Sequence, residues 1–377
     1  MINKGDFLTS IDLADAFLHV LIHQTSRRYL QFAGEGQLFQ FRVLPFGLSL
    51  SPLVFTKILR PVLRWARRKG IRISAYLDDL LIVARDHRTS LVHTRMVQDK
   101  LKELGFMIKT EKSHLRPSQR IDHLGFIIDS NSLTLTVPTS KIRDLRREAS
   151  RLLRTAHCTV RQLSSFIGKA QALTAAVFPA RLRTRYLLSV KNSALQQGRT
   201  WTSTTTLPPT ALQELSWWHD QLSTWNGQSF LPALPQHEVF TDASDSGWGI
   251  VWNQQTWQGQ WTDQERLQHI NYKELLVIWK VIQLRQLQGS SIKVYCDNMT
   301  TISYVNKFGG TRSTPLMNLA RQIWELCLRT NTRLQLTYVA SPFNPADAPS
   351  RQLSRQLEWR IAPTYFRMLE RKWVPIP

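Results

Sequence analysis

The sequence has only three cysteines among 377 residues, and they are widely spaced at Cys158, Cys296 and Cys327. An odd number at such spacing gives neither a disulfide framework nor a zinc-binding pattern, so we expect a reducing, intracellular setting. No apolar run approaches the length of a transmembrane helix. The first residues also lack the apolar core of a secretory signal peptide.

Acidic residues are scarce relative to basic ones. The chain has 27 Asp and Glu against 49 Lys and Arg, for a net charge of +22. Because 42% of the residues are hydrophobic and 13 are Trp, this surplus belongs to a folded chain and not to a disordered one. A charge of this size predicts a polyanionic partner, with nucleic acid first and an anionic membrane surface second. The length predicts two or three domains.

The stretch from Ile71 to Ala84 contains two apolar runs that flank the adjacent acids Asp78 and Asp79. This order predicts a β-hairpin with both acids at or beside its tip. Aspartate is common in tight turns, so plain turn chemistry is one interpretation. The favoured two-residue loops contain Gly or Asn, however, and two neighbouring carboxylates repel each other, which favours a bound hard cation such as Mg²⁺. The hairpin alone leaves the two interpretations equal.

The segments around this hairpin have clear strand and helix patterns. We expect a strand at Phe7 to Asp12, a strand pair at Gln31 to Val43, a helix capped by Ser51 and kinked at Pro61, a helix at Thr89 to Leu104, and strands at Gly105 to Ser113 and His123 to Asp129. The prediction thus places both strands and helices on either side of the hairpin that carries Asp78 and Asp79.

Five motifs follow one another in this part of the chain: Asp12 with an aromatic five residues later, LPFGLSLSP, YLDD, EKS and LGF. In this order they resemble the palm motifs of reverse transcriptases. The combination of LPFGL with YLDD is similar to the DIRS-type and gypsy-type retrotransposon branches more than to the retroviral one. One YLDD motif is weak, but five motifs in order at compatible spacings are specific.

The resemblance assigns roles to individual residues. It implies that Asp12, Asp78 and Asp79 are catalytic metal ligands. It also implies that Phe17 is the aromatic gate against a ribose 2′-hydroxyl and that Lys112 is the basic residue of the fourth motif. The primer-grip hairpin corresponds to Leu124, Gly125 and Phe126. Nucleotidyl transfer uses two divalent ions roughly 3.5–4 Å apart, and carboxylates from two strands can form such a clamp.

The segment from Lys141 to Thr200 is strongly basic, with 13 Lys and Arg against two acids. Apolar residues follow one helical face there, so the basic residues occupy the other faces. A solvated basic face is one interpretation. The density favours contacts with duplex phosphates, for which the candidates are Arg143, Arg146, Arg147, Arg151 and Arg154. In the family this position belongs to the thumb. The run Thr202 to Thr206 is expected to be a linker.

From Glu238 the pattern predicts three strands and then alternating helices and strands, which is an α/β layout with a mixed sheet. Four acids fall at its element ends: Asp242, Glu274, Asp297 and Asp347. Through TDAS, NYKEL, VYCDN and NPADAPSR this region resembles ribonuclease H, which implies that all four acids are catalytic metal ligands. Singly, each acid has a structural interpretation, such as a capping box between Asn271 and Glu274.

Two departures from the family pattern stand out. The loop before the last acid lacks a histidine that some members carry, which is similar to the gypsy-type and DIRS-type forms. Only eleven residues precede Asp12, so most of the fingers region is missing and we expect an N-terminally truncated chain. The segment Arg351 to Pro377 resembles the one after ribonuclease H in DIRS-type polyproteins.

The sequence therefore predicts a DIRS-type reverse transcriptase with a C-terminal ribonuclease H. The expected fold combines α/β and α+β parts: a palm with incomplete fingers at 1–137, a helical basic thumb or connection at 138–236, a ribonuclease H-like α/β domain at 237–350, and a tail at 351–377. Expected cofactors are two Mg²⁺ ions per active site, which Mn²⁺ could replace. Expected partners are primer–template duplexes, RNA–DNA hybrids and deoxynucleoside triphosphates, with no membrane. The alternatives are a truncated relic that binds nucleic acid without polymerising, and a chain that retains only hybrid-nuclease activity.

Overall fold

The computed structural model of the chain describes residues 1–351. Up to residue 155 the strands and helices are β1 Phe7–Asp12, α1 Gln24–Arg27, β2 Gln31–Gly34, β3 Gln37–Gln40, α2 Ser51–Arg68, β4 Arg72–Tyr76, β5 Asp79–Ala84, α3 His87–Glu103, β6 His114–Ser118, β7 Arg120–His123, β8 Phe126–Asp129, β9 Thr134–Thr136 and α4 Thr139–Thr155. The predicted tail, from residue 352 onward, lies outside the described residues.

The later elements are β10 His157–Thr159, α5 Val160–Ala172, α6 Arg185–Gln196, β11 Thr204–Thr206, α7 Pro209–Asp220, β12 Gln228–Ser229, β13 His237–Ala243, β14 Gly247–Trp252, β15 Gln255–Gln260, α8 Asp263–Arg266, α9 Ile270–Gln283, β16 Ser291–Cys296, α10 Met299–Asn306, α11 Thr314–Arg329 and β17 Arg333–Tyr338. Short 3-10 helices lie at Ala16–His19, Phe178–Ala180, Leu182–Thr184, Arg285–Leu287 and Ser341–Phe343. Among the helices of residues 1–351, none combines the length and apolar character needed to span a membrane.

The chain divides into two compact units. The first consists of Met1–Asp144, Ala175–Phe178 and Leu222–Leu231, and the second of Leu145–Thr174, Pro179–Gln221 and the chain from Pro232 onward. The predicted domain boundaries follow a different division, in which 138–236 stands alone, and they stay predictions.

The first unit is built around an antiparallel sheet in the order β4-β5-β1-β6. Successive side chains of a strand point to opposite faces, and in β5 both faces are buried. Leu80 and Ile82 pack in one apolar cluster with residues of α2 and α3. Leu81 and Val83 pack in a second cluster with residues of β7 and β8. Burial on both faces explains why β5 is a continuous apolar run instead of an alternating one.

Most of the elements predicted for this unit are confirmed, with three corrections. The strand predicted at His123 to Asp129 begins only at Phe126, because Leu124 and Gly125 form a turn with positive φ angles. The N-cap of α2 is Leu50, because the Ser51 hydroxyl donates instead to the Pro45 carbonyl at 2.7 Å, and the helix continues through Pro61. The strand predicted at Gly105 to Ser113 is wrong. That segment contains turns and a single bridge from Ile108 to Leu13, because its amides bond locally or to the end of β1.

The second unit contains the predicted mixed sheet, in the order β15-β14-β13-β16-β17. Strand β13 pairs antiparallel with β14 and parallel with β16, and β16 pairs parallel with β17. Helix α9 packs against β13 and β14, and α11 packs against α9. The apolar residues of α9 are buried over most of its length, which places this helix inside the unit.

Three helices of the second unit, α5 to α7, form a packed helical part. Trp218 is fully buried, lies edge-to-face with Phe166 at 6.3 Å, and donates from Nε1 to the Arg183 carbonyl at 2.7 Å. The linker predicted at Thr202 to Thr206 is wrong, since β11 pairs with β10 within this segment. The physical reason is that the β-branched threonines of this Ser/Thr-rich run favour an extended strand.

Candidate active sites

Three carboxylates meet at one end of the first unit's sheet, and we call Asp12, Asp78 and Asp79 the first carboxylate centre. Asp12 is the last residue of β1 and lies directly opposite Asp79, the first residue of β5. Tyr76 also pairs with Asp79, so Leu77 and Asp78 form a two-residue turn between β4 and β5. The predicted hairpin, with its acids at the tip, is confirmed.

The turn of this hairpin has an unusual backbone. Leu77 has a φ of 54°, in the left-handed region that glycine or asparagine normally occupies. Such a conformation costs about 1–3 kcal/mol for a bulky residue. A strained turn that carries two acids at its exit is more typical of a functional site than of a connection chosen for stability.

The electrostatic environment of Asp79 reflects its crowded neighbours. Burial raises the pKa of Asp79, the carboxylates of Asp78 and Asp12 raise it further, and Lys112 lowers it. Lys112, the candidate basic residue of the fourth motif, therefore lies close enough to act on this centre. The Asp12 amide donates to the Ser113 hydroxyl at 3.0 Å, which fixes the end of β1 and was not foreseen from the sequence.

Phe17 lies in the 3-10 helix that follows β1. Its ring is partly buried, with centroids 5.7 Å from Phe55 in the core and 5.3 Å from Phe46. Phe46 belongs to the LPFGL motif and is 65% exposed. The two motifs that carry Phe17 and Phe46 are thus in contact.

The predicted primer-grip residues form a tight hairpin turn. Leu124 and Gly125 connect β7 to β8, with φ angles of 50° and 77°, and Phe126 begins β8 opposite His123. The Gly125 carbonyl accepts from Lys141 Nζ at 3.0 Å. Glycine is favoured at position 125 because the φ of 77° lies in the left-handed region, where a side chain is strained.

A second group of acids converges in the mixed sheet of the second unit. Asp242 lies on β13, Glu274 on α9, and Asp297 directly after β16. Among residues 1–351, these three are the group of acidic, histidine or cysteine side chains whose ligand atoms all lie within 4.8 Å of one another. We call them the second carboxylate centre.

Two of the three acids of the second carboxylate centre are buried, and Asp297 is half-buried. Asp242 and Glu274 are each 3% exposed. Burial raises the pKa of Glu274 to about 9, with Asp242 and Asp297 adding to the effect. Burial likewise raises the pKa of Asp242 to about 6, against a Ser350 hydrogen bond that lowers it. One Glu274 oxygen, Oε2, is buried without a hydrogen-bond partner in the described residues. Such a set of hard oxygen donors fits a divalent cation such as Mg²⁺.

The segment after β17 closes over Asp242 and depends on a glycine opposite it. Gly249 pairs with Asp242, and a Cβ on Gly249 would lie 2.6 Å from the Ala346 carbonyl. Asn344 Nδ2 donates to the Thr241 carbonyl at 2.9 Å, and the Ser350 hydroxyl donates to Asp242 Oδ2 at 2.6 Å. No local pattern predicts the Ser350 contact, because 108 residues separate the two partners.

The capping-box interpretation of Glu274 is wrong. The N-cap of α9 is His269, so Asn271 and Glu274 do not form a capping box and Glu274 points into the cluster. Asn298 caps α10, whereas the preceding Asp297 accepts from the Ser341 hydroxyl.

The fourth predicted acid, Asp347, is outside the group of three. Its carboxylate is 2.7 Å from the Arg351 guanidinium, although it is close enough to raise the pKa of Asp242.

Four of the five candidate arginines of α4 are exposed: Arg143, Arg147, Arg151 and Arg154. The fifth, Arg146, is half-buried and donates from Nε to the His219 carbonyl at 2.8 Å. The buried side of α4 carries Ile142, Leu145, Ala149 and Leu152. The amphipathic pattern predicted for this segment is confirmed, and Arg146 has a packing role.

One comparison with known protein families covers the part of the chain that holds the first carboxylate centre. Residues 2–128 match the family described as reverse transcriptase (RNA-dependent DNA polymerase). This range contains the first carboxylate centre, Phe17, Lys112 and the Leu124–Gly125 turn.

Three curated relatives illustrate how widely the likeness extends. The Gag-Pol polyprotein of Walleye dermal sarcoma virus is 29% identical over 163 residues, which is 43% of this chain and 9% of that polyprotein. The retrovirus-related Pol polyprotein from transposon opus of Drosophila melanogaster is 24% identical, over 79% of this chain and 30% of its own length. The enzymatic polyprotein of Cauliflower mosaic virus (strain Strasbourg) is 26% identical, over 81% of this chain and 46% of its own length. The chain spans less than half the length of each of these relatives.

Solved structures show the same fold. The foamy viral protease-reverse transcriptase in complex with RNA/DNA hybrid has a TM-score of 0.52 at 19% identity, covering 90% of this chain and 44% of that one. The foamy viral protease-reverse transcriptase in complex with dsDNA has a TM-score of 0.52 at 18% identity, covering 90% of this chain and 68% of that one. The palm-type fold expected for the first part of the chain, followed by further helices and sheets, is confirmed.

Proposed function

We propose that this chain is an RNA-directed DNA polymerase, because residues 2–128 form a reverse transcriptase domain of the kind found in retroviral and retroelement Pol proteins. The observation that carries the proposal is the pairing of Asp12 with Asp79 across two strands, completed by Asp78 in the turn. The reaction is templated nucleotidyl transfer on an RNA or DNA template.

In this proposal Asp12, Asp78 and Asp79 hold two Mg²⁺ ions. When bound, such ions activate the primer 3′-hydroxyl and offset the charge of the triphosphate. Lys112 adds positive charge beside Asp79. Phe17, supported by Phe46 and Phe55, borders the nucleotide and limits the room for a 2′-hydroxyl. The hairpin of Leu124, Gly125 and Phe126 holds the primer end, with its turn tied to Lys141.

We also propose hydrolysis of the RNA strand of RNA–DNA hybrids at the second carboxylate centre. Support comes from the convergence of Asp242, Glu274 and Asp297 within 4.8 Å and from the unpartnered Glu274 oxygen. These side chains would hold Mg²⁺, with Asp347 as a further ligand once it leaves Arg351. When bound, the metal activates water and stabilises the leaving 3′-oxygen.

The partners proposed for the chain are primer–template duplexes, RNA–DNA hybrids and deoxynucleoside triphosphates. Two similar structures contain an RNA/DNA hybrid and dsDNA, which supports the choice of duplexes. The exposed arginines of α4 supply phosphate contacts. We assign the chain to the DIRS-type, gypsy-related branch on the LPFGL and YLDD motifs, and we propose an intracellular setting.

A chain with nuclease activity alone is the second candidate. The observation that favours it is the tighter convergence of the second centre, since in the described residues the acids of the first centre do not approach one another as closely. Under this candidate the first unit would serve as a support for the nuclease.

The test is to assay the purified full chain in Mg²⁺ for two activities. One assay follows extension of a DNA primer on an RNA template, and the other follows cleavage of a labelled RNA in a hybrid. We expect both activities, and we expect EDTA to abolish both. Cleavage without extension would select the second candidate, and the absence of both would refute the proposed function.

A further inference from the structure

We infer that two serine hydroxyls, those of Ser350 and Ser341, position the aspartates of the second carboxylate centre for metal binding. This inference deepens the proposed nuclease and rests on it. Neither serine was predicted from the sequence. Both follow β17 in the chain, and each donates to a different acid of the centre.

Ser350 is the buried member of the pair. Its side chain is inaccessible to solvent, and Oγ lies 2.6 Å from Asp242 Oδ2 and 2.8 Å from the Asp347 carbonyl. One hydroxyl carries one proton, so it can donate fully to only one of these oxygens at a time. The ionised carboxylate oxygen at 2.6 Å is a stronger acceptor than the neutral carbonyl at 2.8 Å. The hydroxyl is therefore directed at Asp242.

The position of Ser350 is fixed by its own backbone. The Ser350 carbonyl accepts from the Ser244 hydroxyl at 2.7 Å, and its amide donates to Ala346 at 3.1 Å. Gly249 leaves room for this segment beside β14. The donor that faces Asp242 is thus held from three sides, as a positioning group must be.

Ser341 is the exposed member of the pair. It begins the 3-10 helix Ser341–Phe343, and its hydroxyl lies 2.5 Å from Asp297 Oδ2. Asp297 follows β16 directly, and the Val339 amide donates to the Cys296 carbonyl at 3.1 Å, which brings the start of this helix to the end of β16. The same loop that reaches Ser341 therefore continues to Ser350.

The consequence for the metal is geometric. An aspartate carboxylate accepts hydrogen bonds at both oxygens, and it rotates about the Cβ–Cγ bond unless a donor holds one oxygen. With Ser350 on one oxygen of Asp242 and Ser341 on one oxygen of Asp297, each carboxylate plane is fixed before the metal arrives. Partners of this kind, behind the direct ligands, typically contribute 10–100-fold to metal affinity or activity.

The experiment compares four variants of the full chain: Ser350→Ala, Ser341→Ala, Ser341→Thr and Ser290→Ala. Ser290 is the matched control, because its hydroxyl donates to the Leu287 carbonyl at the opposite end of β16 from Asp297. Mg²⁺ is titrated into EDTA-treated protein by calorimetry, with Asp79→Asn present in every variant so that binding at the first carboxylate centre does not obscure binding at the second. The Mg²⁺ concentration for half-maximal hybrid cleavage, the cleavage rate at saturating Mg²⁺ and the melting temperature without metal are measured in parallel.

We expect Ser350→Ala to weaken Mg²⁺ binding by about tenfold. Ser341→Ala should weaken it by about threefold, since water can replace an exposed donor. In each alanine variant, the Mg²⁺ concentration for half-maximal cleavage should rise by the same factor as the dissociation constant for Mg²⁺. The cleavage rate at saturating Mg²⁺ should stay within about twofold of that of the unsubstituted chain. Ser341→Thr, which keeps the hydroxyl, and Ser290→Ala should bind Mg²⁺ normally.

Unchanged Mg²⁺ affinity in both alanine variants would overturn the inference, as would a Ser341→Thr variant as weak as Ser341→Ala. If Ser350→Ala fails to fold, the exposed Ser341 pair still decides. The proposed nuclease fails separately: serine-dependent Mg²⁺ binding in a chain that does not cleave hybrid would support the positioning role and refute the reaction.

Discussion

The substitution Glu274→Gln is predicted to stabilise the metal-free protein while removing the proposed nuclease activity. Glu274 is buried on α9 within 4.8 Å of Asp242 and Asp297, and its Oε2 atom has no hydrogen-bond partner in the described residues. Glutamine has nearly the same shape but cannot ionise. It therefore removes the electrostatic cost of this position without opening a cavity.

The size of the effect follows from the pKa. Burial and the two neighbouring aspartates raise the pKa of Glu274 from 4.5 to about 9. An acid whose folded pKa is raised costs stability progressively as the pH rises above its unfolded pKa, because the unfolded chain releases a proton that the folded one keeps. A pH of 7 lies roughly 2.5 units above the unfolded pKa of 4.5. At 1.36 kcal/mol per unit, the free energy of unfolding is therefore lower by about 3 kcal/mol than it would be without the shift. Replacing Glu274 with glutamine should raise the free energy of unfolding by this amount at pH 7, by almost nothing near pH 4.5, and by more toward pH 9.

The assay is urea unfolding of the full chain in EDTA at pH 5, 7 and 8.5, read by hydrogen exchange of peptides from α9. Glu238→Gln is the matched control, since Glu238 is an exposed carboxylate in the same sheet and should change little at any pH. Adding Mg²⁺ should slow hydrogen exchange of the α9 peptides in the unsubstituted chain and have little effect on the same peptides in Glu274→Gln. A variant that is no more stable than the unsubstituted chain at pH 7 in EDTA would refute the reasoning.

Three further expectations follow from particular contacts. Gly249→Ala should destabilise the second unit by about 1–3 kcal/mol and abolish hybrid cleavage, because its Cβ would lie 2.6 Å from the Ala346 carbonyl. Thermal melts compare this variant with Gly168→Ala, which lies in α5 with nothing within 4 Å of its Cβ and should be neutral or slightly stabilising. Neutralising the four exposed arginines of α4 should make the slope of log binding constant against log salt concentration shallower by up to about 3.6 for an RNA–DNA hybrid. An unchanged slope would mean that the phosphate contacts lie elsewhere in the protein.

Much of the first site could be predicted from the sequence because its chemistry lies in short local patterns. The strand Phe7–Asp12 and the hairpin around Asp78 and Asp79 are set by apolar runs and an intervening pair of acids, and both are confirmed. The register that places Asp12 opposite Asp79 could not be predicted. It depends on which strand β5 pairs with, and the partner lies 67 residues away.

The second site was harder to predict where capping chemistry imitates catalytic spacing. Asn271 and Glu274 have the separation of a capping box, and only the observed helix start at His269 excludes it. The role of Ser350 depends on Gly249 and Asn344, which bring the segment after β17 onto β13. No local pattern predicts a contact of that kind, because it arises from tertiary packing.

The central claim is that two separate carboxylate centres, one in each compact unit, serve two different reactions. The most direct test measures primer extension and hybrid cleavage in the same preparations of Asp79→Asn and Asp242→Asn. The account predicts that Asp79→Asn loses extension and retains cleavage, and that Asp242→Asn does the reverse. Loss of both activities in either folded variant would contradict it.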